Sequence, residues 1–153
     1  MVRRRCRQIV VFDGGCDPDF NYDDLGNALR KIRIDMGVPI TFSDACTNPL
    51  RDRVRRCAVA RVEYSKADPP SKDGFLVYVK PMLLGNESPD VASYAAANPT
   101  FPHQSTADQW FDESQTESYR LLGLQTIDEI CDGWDGGSLE SLRDHIEKVY
   151  LAT

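Results

Sequence analysis

The sequence is short of the residues that most often betray chemistry. It has two histidines, His103 and His145, and five cysteines, Cys6, Cys16, Cys46, Cys57 and Cys131. No Cys-x-x-Cys occurs and the histidines lie far apart, so a structural zinc site has no ligand set; no metal and no cofactor is expected. An odd number of scattered cysteines reads as free thiols in a reducing compartment, which puts this segment in the cytoplasm. No apolar run approaches the roughly 20 residues that a membrane-spanning helix needs. The run that follows the first arginines stops at Asp13, too soon for a signal peptide. A basic excess is also missing: the net charge is −6, which argues against nucleic acid as a partner. There is no Rossmann Gly-x-Gly-x-x-Gly and no Gly-x-Ser-x-Gly elbow. The nearest approach, Gly136-Gly137-Ser138-Leu139-Glu140, fails at its last glycine and follows no strand. No complete catalytic set lies in this chain.

What is present is an ordinary globular composition, 41% hydrophobic and 27% charged, at a length that suits one core. The basic stretches Arg3-Arg4-Arg5-Cys6-Arg7 and Arg51, Arg53, Arg55, Arg56 are short and read as solvated faces or helix ends. The organising stretch is Gln8-Ile9-Val10-Val11-Phe12-Asp13-Gly14-Gly15. Its unbroken apolar run into turn residues predicts a strand buried on both faces, as in α/β sheets. Asp13 then stands at a strand's carboxyl end, where α/β proteins place their ligands.

In chain order, Met1–Arg5 reads as the last turn of a helix, so the start looks cut. Asn21 is expected to cap a helix with Asp24 at N3. That helix carries Leu25, Ala28, Leu29, Ile32 and Met36 on one face, and Gly37 stops it. Residues 38–42 read as a second strand of open direction in a βαβ-like unit, and 43–55 as a loop. The alternation over 57–64 predicts a half-exposed strand. After the turn-rich 68–74, Phe75–Lys80 reads as its antiparallel partner. Ser88-Pro89 opens a short helix, and Pro99 and Pro102 keep 99–105 irregular. A capping box from Thr106 to Gln109 predicts a helix from 106. Trp110, Phe111 and Tyr119 are its core aromatics, Gly123 is its stop, and Ile127, Ile130 and Cys131 follow in a further turn. Ser138 caps a last helix with Leu139, Leu142, Ile146, Val149 and Tyr150 inward.

Two residues are candidates for chemistry. Asp13 would serve as an acid that orients a base, or equally as a turn residue bonding its own backbone beside left-handed glycines; the turn is preferred. The acids Asp13 and Asp17 are four apart, whereas the two-aspartate phosphotransferase loop spaces them by two. His103 would be a general base, or a buried histidine bonding its own loop. The latter is preferred, because no serine or cysteine stands in a recognisable elbow.

The segments Arg3-Arg4-Arg5-Cys6-Arg7-Gln8-Ile9-Val10-Val11-Phe12-Asp13-Gly14-Gly15-Cys16-Asp17-Pro18-Asp19, Asp24–Arg33 and Phe101-Pro102-His103-Gln104-Ser105-Thr106-Ala107-Asp108-Gln109-Trp110-Phe111-Asp112, with Glu117-Ser118-Tyr119-Arg120, resemble the C-terminal part of bacterial patatin-like phospholipases. These are relatives of the cytosolic phospholipase A group. The resemblance covers about residues 1–123 and implies an α/β fold: a partial patatin-like sheet of mixed strands covered by helices. Residues 124–153 would add a helical C-terminal tail. The family's chemistry is a Ser–Asp dyad without metal, with the serine in a Gly-x-Ser-x-Gly elbow and the acid in an Asp-Gly motif. Both fall upstream of Met1 in the group this chain resembles. Asp13-Gly14-Gly15 matches a later strand end where relatives commonly carry Asp-Ala-Gly. The resemblance therefore assigns no catalytic residue here and leaves Asp13 a minor claim, including as acid for a serine on a separate chain.

The implied function is the C-terminal fragment of a lipid acyl hydrolase, inactive alone. Its partner would be the missing upstream catalytic portion, and its parent would act on lipid and be associated with a membrane. The alternative is a non-catalytic protein-interaction module that keeps the scaffold. A truncated sheet is also expected to leave an unpaired edge open to self-association.

Overall fold

The computed structural model describes residues 1–105 and 107–150, without the side chains at 45, 46 and 150. The expectations placed on Cys46, Thr106 and Tyr150 lie outside the described residues. β1 (Gln8–Phe12), β2 (Ile40–Phe42), β3 (Cys57–Val62) and β4 (Gly74–Val79) form a mixed four-stranded sheet in the order β1-β4-β3-β2, accompanied among the described residues by six α-helices. The architecture is α/β. β3 and β4 make the expected antiparallel hairpin, with Cys57 opposite Val79 and Val62 opposite Gly74. β1 lies parallel to β4, and β2 pairs antiparallel with β3. β2 therefore runs in the direction of β1 but at the far edge, so the two are not neighbours in a βαβ unit.

Position in the sheet reverses two burial expectations. β1 is an edge strand: Val10 and Val11 are each 37% exposed and Phe12 is 53% exposed. β3, which alternates in sequence, is interior and buried at every position except Arg61. The strand buried throughout is β4. Tyr64 does not extend β3 but opens the short helix α3 (Tyr64–Ala67), and its hydroxyl donates to the Cys6 carbonyl at 2.7 Å.

Side chains leave β1 and β4 alternately to the two faces. Ile9, Val11, Leu76 and Tyr78 face α1 (Asp23–Met36), whereas Val10, Phe75 and Val77 face Leu139 and Leu142 of α6 (Leu139–Tyr150). α1 ends at Gly37 with φ 64°, as its sequence predicts. Its start differs: the N-cap is Tyr22, not Asn21. The amides of Asn21 and Tyr22 both donate to the Asp17 carboxylate at 2.9 Å. No residue of α1 is fully buried; Leu25 and Ile32 pack against the core while staying partly exposed.

Residues 44–51 form α2 (Asp44–Arg51) where a loop is expected. Ser43 occupies the N-cap, and Pro49 inside the helix removes one backbone hydrogen bond without breaking it. α4 (Pro89–Ala97) begins at Ser88-Pro89 as expected, and 99–105 is irregular. α5 (Glu113–Ile130) starts later than the capping box implies. A second cap signal is used instead, with Asp112 accepting from the Gln115 amide at 2.7 Å. Residues 107–112 are consequently not helical, which leaves Trp110 91% exposed and Phe111 47% exposed instead of in the core. α5 also runs through Gly123 to Ile130, so the chain has no break at 123. Ser138 caps α6 as predicted, through the Ser141 amide at 3.2 Å. Ile146 is fully buried in the core, but Leu139 and Val149 are exposed, not inward.

Arg56 is the exception among the basic residues read as solvated. It is 3% exposed, and its guanidinium reaches the Met82 carbonyl, Asn86, Glu87 and Glu129. The clamp fastens the segment after β4 to α5. A buried guanidinium needs this many acceptors to offset its lost hydration.

Candidate functional site

β1 delivers Asp13 to its carboxyl end, and the Asp13 amide stays on the sheet by donating to the Val79 carbonyl at 2.9 Å. Because β4 is parallel to β1, Tyr78 and Lys80 arrive at the same end. Oδ1 of Asp13 accepts from the Gly15 amide at 2.9 Å, the self-bonded turn that the sequence favours. Oδ2 accepts from the Tyr78 hydroxyl and lies 3.3 Å from Lys80 Nζ. Lys80 also donates to the Gly15 carbonyl at 2.9 Å and is 1% exposed. The glycines are not left-handed, contrary to expectation. Gly15 is needed for closeness: a Cβ there would stand 2.9 Å from the Asp13 carboxylate.

The electrostatics follow from these contacts. Burial disfavours the ionised carboxylate. Hydrogen bonds from Tyr78 and Gly15, together with the Lys80 charge, outweigh that cost and hold Asp13 below the usual carboxylate range. Burial and the neighbouring carboxylate push the Tyr78 phenol upward, so it remains a donor. Burial and the charge of Asp17 raise Tyr22 to about 12. With both oxygens of Asp13 engaged, the carboxylate is a structural ion and a poor proton acceptor.

His103 lies beside this loop. It is 8% exposed, and its ring meets Phe20 edge-on at 4.8 Å. Neither ring nitrogen bonds a described partner, so the expected bond to its own loop is not made. Burial first, then the charge of Lys80, lowers its pKa, with the Gly15 backbone and Asp17 opposing in part. The net effect favours the neutral ring.

Both serines nearest to an elbow or loop signal are engaged by nearby backbone amides, Ser105 in a turn and Ser138 at a helix start. Ser105 Oγ accepts from the Ala107 amide at 3.2 Å, and Ser138 caps α6. No serine bonds Asp13 among the described residues, and the pocket over it is lined by Asp13, Cys16, Asp17, Tyr22, Asp24 and Lys80. No group of three or more metal-ligating residues is brought together among the described residues. No described helix is long and apolar enough to cross a membrane.

A larger feature opens on the other side of Asp13. An apolar groove of about 540 Å³ runs between α1 and the sheet. Leu25, Leu29, Ile32 and Met36 form one wall and Val11 and Phe12 the other, with Asp13 and Gly14 at one end. Sequence periodicity finds the α1 wall as one apolar face of the helix. Tyr78 and Lys80 go unnoticed in sequence, although a lysine two residues after a tyrosine at the end of an apolar strand was the available signal. Comparison with known proteins finds no matching family model, no similar curated protein and no similar solved structure.

Proposed function

We propose that the chain is the scaffold portion of a patatin-like lipid acyl hydrolase whose nucleophile and catalytic acid come from residues outside this sequence. The observation that carries this reading is the apolar groove that ends at Asp13-Gly14. Its size is that of a small-ligand site, and its lining is aliphatic with little polar content, which suits an acyl chain. The saturated carboxylate of Asp13 supports placing the catalytic acid elsewhere. The parent would attack a lipid ester through an acyl-serine intermediate, without metal, and would meet its substrate at a membrane. A cytoplasmic setting rests on the free thiols of Cys6, Cys16 and Cys131.

The second reading is a non-catalytic interaction module that keeps the same scaffold, favoured by the absence of a serine beside Asp13 among the described residues. One experiment separates the two. The reading frame before Met1 is sequenced, and the longer product and this chain are each treated with a fluorophosphonate serine probe and assayed on nitrophenyl esters. The hydrolase reading expects Gly-x-Ser-x-Gly and an Asp-Gly motif upstream, with labelling and turnover in the longer product alone. A stop codon and ribosome site before Met1 favour the interaction module. Turnover by this chain that vanishes in Ser105→Ala or Ser138→Ala overturns both.

A further inference from the structure

The outer edge of β1 is left open in a way that has a definite geometry. The Arg7 carbonyl accepts from the Phe75 amide at 2.7 Å, and the Asp13 amide donates to the Val79 carbonyl at 2.9 Å. Odd-numbered residues of β1 therefore spend their backbone groups on β4. In a parallel pair the intervening residues face the other way, so Gln8, Val10 and Phe12 turn their N–H and C=O groups outward. No described residue bonds those groups. The strand contains no proline and no lysine, the usual devices that blunt an edge. The opposite edge is managed: β2 has three residues and follows Pro39.

We infer that β1 pairs with β1 of a second copy of this chain, antiparallel about a two-fold axis at Val10, joining the two sheets into one. The register follows from the outward groups. Gln8 faces Phe12 of the partner subunit, Val10 faces the partner's Val10, and every outward N–H and C=O finds a mate. A slip of one residue would set outward groups against residues whose backbone is already used.

Charge selects the antiparallel sense and a like partner. Arg3, Arg4, Arg5 and Arg7 precede the strand, and Asp13, Asp17 and Asp19 follow it. A two-fold pairing lays each basic end along the other copy's acidic turn, with Arg7 opposite Asp13 of the partner subunit. A parallel pairing would set like charges side by side. The flanks contribute apolar area, from Val10, Val11 and Phe12 of the strand and from Leu139 of α6, which is 57% exposed beside Val10. A closed two-fold contact uses this edge in both copies, so it ends in a dimer instead of a filament. The inference is independent of any catalytic role.

The test is light scattering on the eluting 153-residue chain through a dilution series, with residue-resolved amide exchange at each end of it. The expected mass at high concentration is twice 17.2 kDa. The amides of Gln8, Val10 and Phe12 should exchange at least about tenfold more slowly at high concentration, while those of Ile9 and Val11 stay protected throughout. Val10→Pro should give a monomer with an unchanged far-ultraviolet spectrum, because the Val10 N–H is not used by β4. Ile34→Lys, on the exposed side of α1, should remain dimeric. A chain monomeric across the series, or a Val10 amide whose exchange ignores concentration, overturns the proposal. So does a folded Val10→Pro variant that keeps the wild-type mass. If that variant does not fold, the wild-type exchange pattern decides alone.

Discussion

Tyr78 donates its phenolic hydrogen to Oδ2 of Asp13 across the parallel β1–β4 pair, joining residues 65 apart in the chain. The contact converts a strand-end acid into a tie between the sheet edge and its centre, and Lys80 completes it.

Removing the acid should expose what it balances. Asp13→Ala leaves the Lys80 ammonium buried without its counter-ion, and a loss on the order of 3 kcal/mol is expected. Tyr78→Phe removes one hydrogen bond to a charged group and should cost about 1.5–3 kcal/mol. Urea denaturation of both variants checks the order; equal stability of Asp13→Ala and wild type would show that the pair is not an internal counter-ion system.

Acid stability should depend on the same carboxylate. Its folded pKa lies below its unfolded value of about 3.9, so its contribution is complete above that value. The contribution is lost as pH falls through the lower, folded pKa. Against wild type, Asp13→Asn should therefore show a flatter stability profile below about pH 4.

His103 makes a separate window at higher pH. Its folded pKa is depressed, so the unfolded chain binds the proton first. Stability should be full above the unfolded value of about 6.5 and decline as pH falls from there to the folded pKa. His103→Phe should remove that decline, read by thermal melting between neutral and mildly acidic pH.

The Arg56 clamp should be worth more than any surface ion pair here. Arg56→Met strands Glu87, whose side chain is 5% exposed, and a loss of roughly 3 kcal/mol is expected. Arg120→Met, which disrupts the exposed pair with Glu117, should leave the urea midpoint unchanged.

The groove gives a binding prediction. A fluorescent fatty-acid analogue should bind this chain, and Leu29→Glu on the α1 wall should weaken it by about tenfold or more while the melting temperature holds. Retention of wild-type affinity in Leu29→Glu would move the acyl site elsewhere.

Local signals suffice where a few neighbouring residues decide the outcome. Gly37 ends α1, Ser88-Pro89 opens α4, Ser138 caps α6, the β3–β4 hairpin forms, and Asp13 bonds Gly15. In each, the energetic advantage lies within a turn or two of chain, so composition and spacing carry it. Residues 107–112 stay outside the helix, α5 starts from the Asp112 cap on Gln115, and Trp110 is left exposed.

The sequence by itself determined an α/β chain, the positions of most of its elements, and a self-bonded turn at Asp13. Only the tertiary structure decided which strand is the middle one. The apolar run of β1 became an edge, and the alternating β3 became interior. Burial of a strand depends on what pairs beside it, and those partners come from distant parts of the chain. The union of Asp13 with Tyr78 and Lys80 belongs to that same parallel pairing, whose register no local pattern contains.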